Sequence, residues 1–278
     1  MSKDVLKSEA ADPAFSQEHA RRFGGLDRLY GKSGALSILC SHVMIVGIGG
    51  VGSWAVEALA RSGVGRLSLI DMDHVSESNI NRQIHATQVT LGQSKILAMQ
   101  ERIALINPQC KVICIDDFVT PQNWLSIISD DVDVVIDACD QVHAKVAMAA
   151  WAMQDSRQKA SKSLFITVGA AGGKRLAHLV DIDDLSKTTH DPLLAQLRYR
   201  LRKEHNAPRE GKKIGVTCVF SREAVLQPDR SAQTGEGEDK GDNTLNCSGY
   251  GSVVSVTATF GQCAAGWALD KLSNMPNI

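Results

Sequence analysis

The run Gly47-Ile48-Gly49-Gly50-Val51-Gly52 places four glycines within six residues. Glycine lets the backbone turn tightly and approach a phosphate, and a helix starting there offers its N–H groups as donors. Asp71 follows about 20 residues on, where such a turn puts an acid on a ribose hydroxyl. Turn and acid together bind a nucleotide, but they do not choose between ATP and a nicotinamide dinucleotide. The next residues bear on that choice. Asp73, Asn79, Arg82 and Gln83 come directly after Asp71, and Lys95 opens the next helical segment. Arg82 and Lys95 suit a triphosphate, which carries more charge than a bridging pyrophosphate, and cations at developing phosphate charge are the usual means of adenylyl transfer. Asp137-Ala138-Cys139-Asp140 ends a later apolar run. A carboxylate at such a strand end can hold Mg²⁺ against phosphates. Position alone does not choose between Asp137 and Asp140, although Asp137 reads as a strand-end or structural acid rather than a second metal ligand.

These residues need a frame that brings them together. Val43–Gly47, Arg66–Asp71, Lys111–Ile115, Val132–Asp137 and Leu164–Val168 read as strands. Trp54–Arg61, Lys95–Ile106 and Ala144–Met153 read as the helices between them, the second stopped by Asn107-Pro108. Strands alternating with helices predict a mostly parallel, Rossmann-like α/β sheet flanked by helices. Beyond Gly169 the alternation lapses, and Leu176–Ile182 and Val216–Phe220 are the further strands of an embellished C-terminal third. Residues 1–15 read as a flexible tail, Ser16–Ser33 as a helical entry segment and Gln227–Asn246 as a mobile loop. The expectation is one domain over 1–278.

Bulk properties exclude several classes. With 278 residues, 44% hydrophobic and 22% charged, the chain can bury a full core. A net charge of −1 means that any nucleic-acid surface is a local patch. The seven cysteines are odd in number and include no CxxC pair, which reads as a reduced, cytoplasmic chain. No secretory signal pattern is read at the N-terminus. Gly249–Leu269 is uncharged and about long enough to span a bilayer, but its Gly, Ser and Thr content favours a buried element of the fold over membrane association.

From Val43 to Asp140 the chain resembles the ubiquitin-activating-enzyme-like superfamily, whose members adenylate a carboxylate with ATP and Mg²⁺ on a Rossmann-like, usually dimeric fold. The resemblance implies that Gly47, Gly49, Gly50 and Gly52 form the phosphate turn and that Asp71, with Asp73 beside it, holds the ribose. It also implies that Asn79, Arg82 and Lys95 contact phosphates and that Asp140 serves the magnesium. Arg22, or its neighbour Arg21, resembles an N-terminal arginine that reaches the ATP of the partner subunit in a homodimer.

Two departures bear on the acceptor. The chain lacks the two CxxC pairs that hold zinc in many relatives, so no zinc is expected, and no cysteine lies in a familiar thioester context. Cys139 reads as core and Cys247 as an ordinary cysteine. From Arg198 to Lys213 seven basic residues face two acidic ones, with Arg198, Arg200, Arg202 and Lys203 the densest part. Such a stripe suits an RNA backbone, and the competing reading is a solvated charged helix. With Lys174-Arg175 and Lys187–Leu194, it resembles the bacterial tRNA threonylcarbamoyladenosine dehydratase branch. That resemblance implies tRNA as substrate, AMP and pyrophosphate as products, and a cysteine desulfurase or sulfur-acceptor protein as a candidate partner. The alternatives are an adenylating enzyme for a sulfur-carrier or ubiquitin-like C-terminus, a non-catalytic nucleotide scaffold, and a dehydrogenase.

Overall fold

The computed structural model describes residues 13–158, 163–209, 211–227 and 250–275. In chain order the elements are α1 (Pro13–Leu39), β1 (His42–Val46), α2 (Gly52–Arg61), β2 (Arg66–Ile70), α3 (Lys95–Ile106), β3 (Lys111–Ile115), α4 (Trp124–Ile127), β4 (Val134–Asp137), α5 (Val142–Gln158), β5 (Leu164–Val168), β6 (Val180–Asp184), α6 (Pro192–Glu204), β7 (Thr217–Ser221) and α7 (Val254–Ser273). The strands form one sheet in the order β3-β2-β1-β4-β5-β7-β6. All neighbours are parallel except β6, which runs antiparallel to β7.

β1, β2 and β4 are buried along their whole length, as expected of parallel strands covered on both faces. Alternate residues of β1 serve opposite layers. Val43 and Ile45 pack with α2, α3 and α7, while Met44 and Val46 pack with α5, α6 and Trp124. The strand order reverses between β1 and β4, and both strands end there in loops. At such a switch point two loops leave in opposite directions and open a crevice beyond the strand ends.

The predicted Rossmann-like sheet is present, and β3, α3 and β5 have the expected bounds. The C-terminal third differs. The strand expected over Leu176–Ile182 begins only at Val180, because Ala177–Leu179 forms a tight turn. The entry helix is longer than expected, starts at Pro13 within the supposed tail, and breaks at Gly31, whose φ of 74° no helix accommodates. Of the supposed tail and mobile loop, residues 1–12 and 228–246 lie outside the described residues, as does Cys247.

Residues 254–269 of the uncharged segment form most of α7. Val256, Phe260, Ala264, Ala268 and Leu272, four residues apart, make one buried stripe that lies against the core of the β1 side. No helix among the described residues is long and apolar enough to cross a membrane. Small side chains let α7 approach α2 closely. A methyl group on Gly261 would stand 2.5 Å from the Val51 carbonyl oxygen and 2.8 Å from Trp54 Cβ.

Gly261→Ala is therefore expected to destabilise the protein by about 1–3 kcal/mol through overpacking. Gly266→Ala, on the same helix with open space around it, is expected to stabilise by about 0.5–1 kcal/mol. Thermal melts of the two variants check this, and equal melting temperatures would remove the close-packing account of α7.

Candidate functional site

A cavity of about 420 Å³ opens at the switch point, lined by Gly47, Gly49 and Gly50, by Asp71, Asp73, Asn79, Arg82 and Lys95, and by Asp140. The glycine turn forms its floor. Gly47 has a φ of 87°, and a side chain there would press on Ala138 and Cys139 of the neighbouring loop at 2.9 Å. At Gly52 a Cβ would lie 1.8 Å from the Gly47 carbonyl oxygen, so no other residue fits. Gly49 has open space above it, which leaves its backbone accessible to a ligand.

Asp71 ends β2 nearly buried at 7% exposure. Its Oδ2 accepts from Ile48 N at 2.6 Å and its Oδ1 from Asp73 N at 2.8 Å. Burial raises its carboxyl pKa, while Lys95 and the two N–H donors oppose the rise. The acid thereby orients the glycine turn and keeps a lone pair on each oxygen for a ribose hydroxyl.

Lys95 is 6% exposed, and its Nζ pairs with Asp73 Oδ2 at 2.6 Å. Arg82 lies over Gly50, and its Nη1 donates to the Ser78 carbonyl at 2.5 Å and to Asn81 Oδ1 at 2.9 Å. Burial lowers the Arg82 pKa, and the guanidinium remains charged. Asn79 lines the cavity and also caps a turn, its Oδ1 accepting from Ser76 N at 3.1 Å. The turn-capping reading of Asn79 is thus observed, beside its place on the cavity wall. Asp140 has its carboxyl pKa raised by burial, with Lys145 and Lys95 drawing it down and Asp73 pushing it up.

Asp137 and Lys145 are both fully buried, with Nζ to Oδ1 at 3.1 Å. Thr167 Oγ1 donates to Asp137 Oδ2 at 2.6 Å and accepts from Lys145 Nζ at 3.1 Å. Burial pushes the Lys145 ammonium down in pKa, but Asp137, joined by Cys139 and Asp191, holds it above its ordinary value. Asp137 is the structural acid that the sequence suggests. Cys139 Sγ lies 3.1 Å from Asp137 Oδ1, and burial, then Asp137, push its thiol far up in pKa. It is partly buried, packs against the core and also lines the cavity, so the core position expected for it is only half met.

Two sets of predicted residues are elsewhere. Within the chain Arg22 is not at the cavity. It pairs with Glu18 at 2.9 Å and donates to the Ile106 carbonyl at 3.2 Å, beside the end of α3 that leads into β3, at the end of the strands away from the cavity. The basic run is split rather than continuous. Arg198 turns inward and holds the Leu185 and Thr188 carbonyls, each at 3.0 Å. Arg200 pairs with Glu204 at 3.0 Å, Arg202 donates to the Pro208 carbonyl at 3.2 Å, and Lys203 lies 5.8 Å from the Tyr199 ring centroid.

Sequence reading passed over Lys145 and gave Gln83 no role of its own. Lys145 lies inside a helix with no pattern to mark it. Gln83 follows Arg82, is 5% exposed, lines the cavity, and its Oε1 has no hydrogen-bond partner. No cluster of three or more His, Cys, Asp or Glu side chains able to hold a metal occurs among the described residues. One carboxylate beside phosphate-binding cations is nonetheless a common donor set for Mg²⁺, which keeps most of its shell as water and substrate phosphate.

Comparison with known proteins agrees with this geometry. Residues 25–278 match the ThiF family. The chain is 44% identical over 256 residues to the tRNA threonylcarbamoyladenosine dehydratase of Escherichia coli (strain K12), spanning 91% of this chain and 93% of that one. It is 40% identical over 212 residues to the tRNA threonylcarbamoyladenosine dehydratase of Bacillus subtilis (strain 168), spanning 76% and 79%. The fold matches the crystal structure of E. coli tRNA N6-threonylcarbamoyladenosine dehydratase in complex with AMP with a TM-score of 0.80 at 42% identity, over 94% of this chain and 96% of that one.

The buried pair makes a thermodynamic prediction. Lys145→Met leaves Asp137 unpaired and is expected to cost about 3–5 kcal/mol. The double variant Lys145→Met/Asp137→Leu is expected to recover most of that loss in urea unfolding. A double variant as unstable as the single would contradict the assignment of the cost to an uncompensated charge.

Proposed function

The chain belongs to the ThiF family, and we propose that it is an ATP-dependent tRNA-modifying dehydratase, a single-domain enzyme that adenylates the carboxylate of threonylcarbamoyladenosine and closes it to a ring. The observation that carries this is the convergence of Asp71, Arg82, Lys95 and Asp140 with the glycine turn on one cavity, in a chain 44% identical to a relative of that name.

A carboxylate resists attack because its leaving group would be oxide. Transfer of AMP to it, with release of pyrophosphate, creates a mixed anhydride. Asp71 holds the ribose, and the turn at Gly49 and Gly50 takes the phosphates. An ammonium has three donors, and Asp73 engages one on Lys95, so two remain for phosphate oxygens. Arg82 adds a second cation, and Asn79 keeps the segment between Ser76 and Arg82 in shape. Asp140 would hold Mg²⁺, which when bound neutralises phosphate charge. The carbamoyl group beside the activated carboxyl then attacks it and expels AMP. Its nucleophile is already tethered, an advantage of about 7–11 kcal/mol, so no enzyme thiol is required.

Arg22 enters this scheme through a homodimer. Its position away from the chain's own cavity is what a role in the partner's site requires. The tRNA surface includes Arg200, Arg202 and Lys203, whose side chains remain partly exposed, while Arg198 supports it from within. A cytoplasmic setting and contact with a cysteine desulfurase or sulfur-acceptor protein complete the proposal.

The decisive experiment measures AMP release from ATP with tRNA carrying threonylcarbamoyladenosine, with mass analysis of the nucleosides. AMP release with loss of one water from that nucleoside is expected. AMP formed only with a carrier protein would favour the sulfur-carrier alternative instead. Lys95→Ala, Arg82→Ala and Asp140→Ala are each expected to lower the rate by about 10²-fold or more with unchanged melting temperature, and wild-type rates would sink the site assignment.

Two further outcomes test the assembly. Mixing inactive Arg22→Ala and Lys95→Ala chains is expected to restore activity, because a mixed dimer holds one intact site. No recovery after subunit exchange would remove the role in trans. Charge reversal at Arg200 and Lys203 is expected to weaken tRNA binding and lower its salt slope, and unchanged binding would mark the run as a solvated face.

A further inference from the structure

The cavity wall after β5 is the loop Gly169-Ala170-Ala171-Gly172-Gly173, and Gly169 to Gly172 all line the cavity. Its backbone is pinned on both sides of its middle. Gly169 N donates to the Val219 carbonyl at 2.8 Å, and Ala170 N to Asp191 Oδ2 at 2.9 Å. Gly173 N donates to the Gly251 carbonyl and its carbonyl accepts from Leu226 N, both at 2.8 Å. Between these pins the N–H groups of Ala171 and Gly172 have no acceptor among the described residues. Ala171 is buried and Gly172 partly exposed; buried backbone donors are nearly always paired, and leaving one unmatched is costly. Gln83, also in the cavity wall, has its own unmatched Oε1. Unmatched polar atoms in a well-packed cavity point to a ligand that matches them.

The loop is also held by charge. Lys174, 2% exposed, donates from Nζ to the His190 carbonyl at 3.0 Å and to the Glu223 carbonyl at 2.9 Å. His190 has a φ of 55°, rare outside glycine, so the ammonium restrains a backbone that would otherwise relax. Glu223 Oε2 in turn accepts from Arg175 N at 2.9 Å and Leu176 N at 2.8 Å. Burying an ammonium against carbonyls is costly, and it is an expensive way to secure a loop that only fills space. It is well suited to fixing donors that must not move.

We propose that the Ala171 and Gly172 N–H groups form the subsite for the acceptor's carboxylate, and that Lys174 is the positioning residue that holds them. This rests on the adenylation reading above and adds to it the acceptor half of the cavity. Neutral donors suit an oxygen whose charge changes twice. One carboxylate oxygen bonds to the α-phosphorus, the α–β bridging bond breaks, and pyrophosphate leaves. The carbamoyl group then bonds to the acyl carbon, and the carbonyl electron pair moves onto the remaining oxygen. As that pair returns, the bond from acyl carbon to the phosphate-bound oxygen breaks, AMP leaves, and the carbamoyl N–H proton passes to water. The two N–H groups would serve the same oxygen as carboxylate, as anhydride carbonyl and as oxyanion. Fixed donors of this kind act most strongly on the oxyanion.

The test compares wild type, Lys174→Met and Lys174→Arg by ATP titration calorimetry, by KM for the modified tRNA and by kcat for AMP release. Lys174→Met is expected to keep wild-type ATP affinity while kcat falls about 10²-fold, as on loss of an oxyanion donor, and the tRNA KM rises. Lys174→Arg, which keeps a buried cation, is expected to recover part of both. If Lys174→Met does not fold, Gly172→Ala decides. Its methyl would meet only Tyr250 Cβ at 3.3 Å, and a raised tRNA KM at unchanged ATP affinity is expected. Wild-type kcat and tRNA KM in the variants, or equal losses of ATP affinity and kcat, overturn the subsite. Failure of the wild-type protein itself to release AMP with this tRNA would overturn the adenylation reading, and the subsite with it.

Discussion

Nothing larger than hydrogen fits between residue 52 and the carbonyl of Gly47, where a Cβ would stand 1.8 Å from oxygen. From this contact the chain can leave β1, reverse, and begin α2 within five residues. The turn sets the floor of the cavity. One residue before α2, the Val51 carbonyl meets Gly261 of α7. A glycine on the C-terminal helix therefore seats against the turn that glycines of the first strand create. Sheet, phosphate turn and outer helix are three layers in contact through backbone, with no side chain between them to adjust the fit.

Charge is divided across the cavity in a way that matches two kinds of ligand. On the β2 side lie Arg82 and Lys95, cations with short partners that keep them oriented before any ligand arrives. On the β5 side the wall is small and neutral, and its charged supports, Lys174 and Asp191, are buried behind it. Asp191 is held almost wholly out of water, which raises its carboxyl pKa against the pull of Leu194 N and Lys174. The arrangement lets a polyanion bind on one side without drawing a second strong charge to the other. Between the two sides, the Asp137–Lys145 pair keeps the ends of β4 and β5 in register, so the loops that carry Asp140 and Ala171 start from fixed points.

Much of this was legible in the amino-acid order because it depends on local chemistry. Glycine spacing, the acid ending β2 and the helix stop at Asn107-Pro108 act within a few residues of themselves, and the structure has them where they were expected. The remainder depended on partners distant in sequence. Nothing near Val180 announces that β7 will insert between β5 and β6 and turn the edge strand antiparallel. The run from Arg198 looked like one basic face, but helical rotation separates its members, and Arg198 is consumed by carbonyls of Leu185 and Thr188. Arg22 matches a familiar motif, yet within the chain it sits beside the end of α3, away from the cavity, and no signal in the nearby sequence announces that. Lys145 carries no sequence signal, and Lys174 entered the sequence reading only through a resemblance that says nothing of its burial, because a lysine is read as solvated until something is known to cover it.

The Asp137–Lys145 pair also constrains how this protein can change over generations. Neither residue is proposed to touch a substrate, so selection on catalysis acts on them only through the loops they support. Either one altered alone strands its partner as a buried charge, and a marginally stable chain tolerates few such steps. The two positions are thus coupled in inheritance: a lineage can exchange the pair for an apolar one only by crossing a poorly folded intermediate or by changing both together. Their persistence in a lineage would reflect that barrier as much as any use the reaction makes of them.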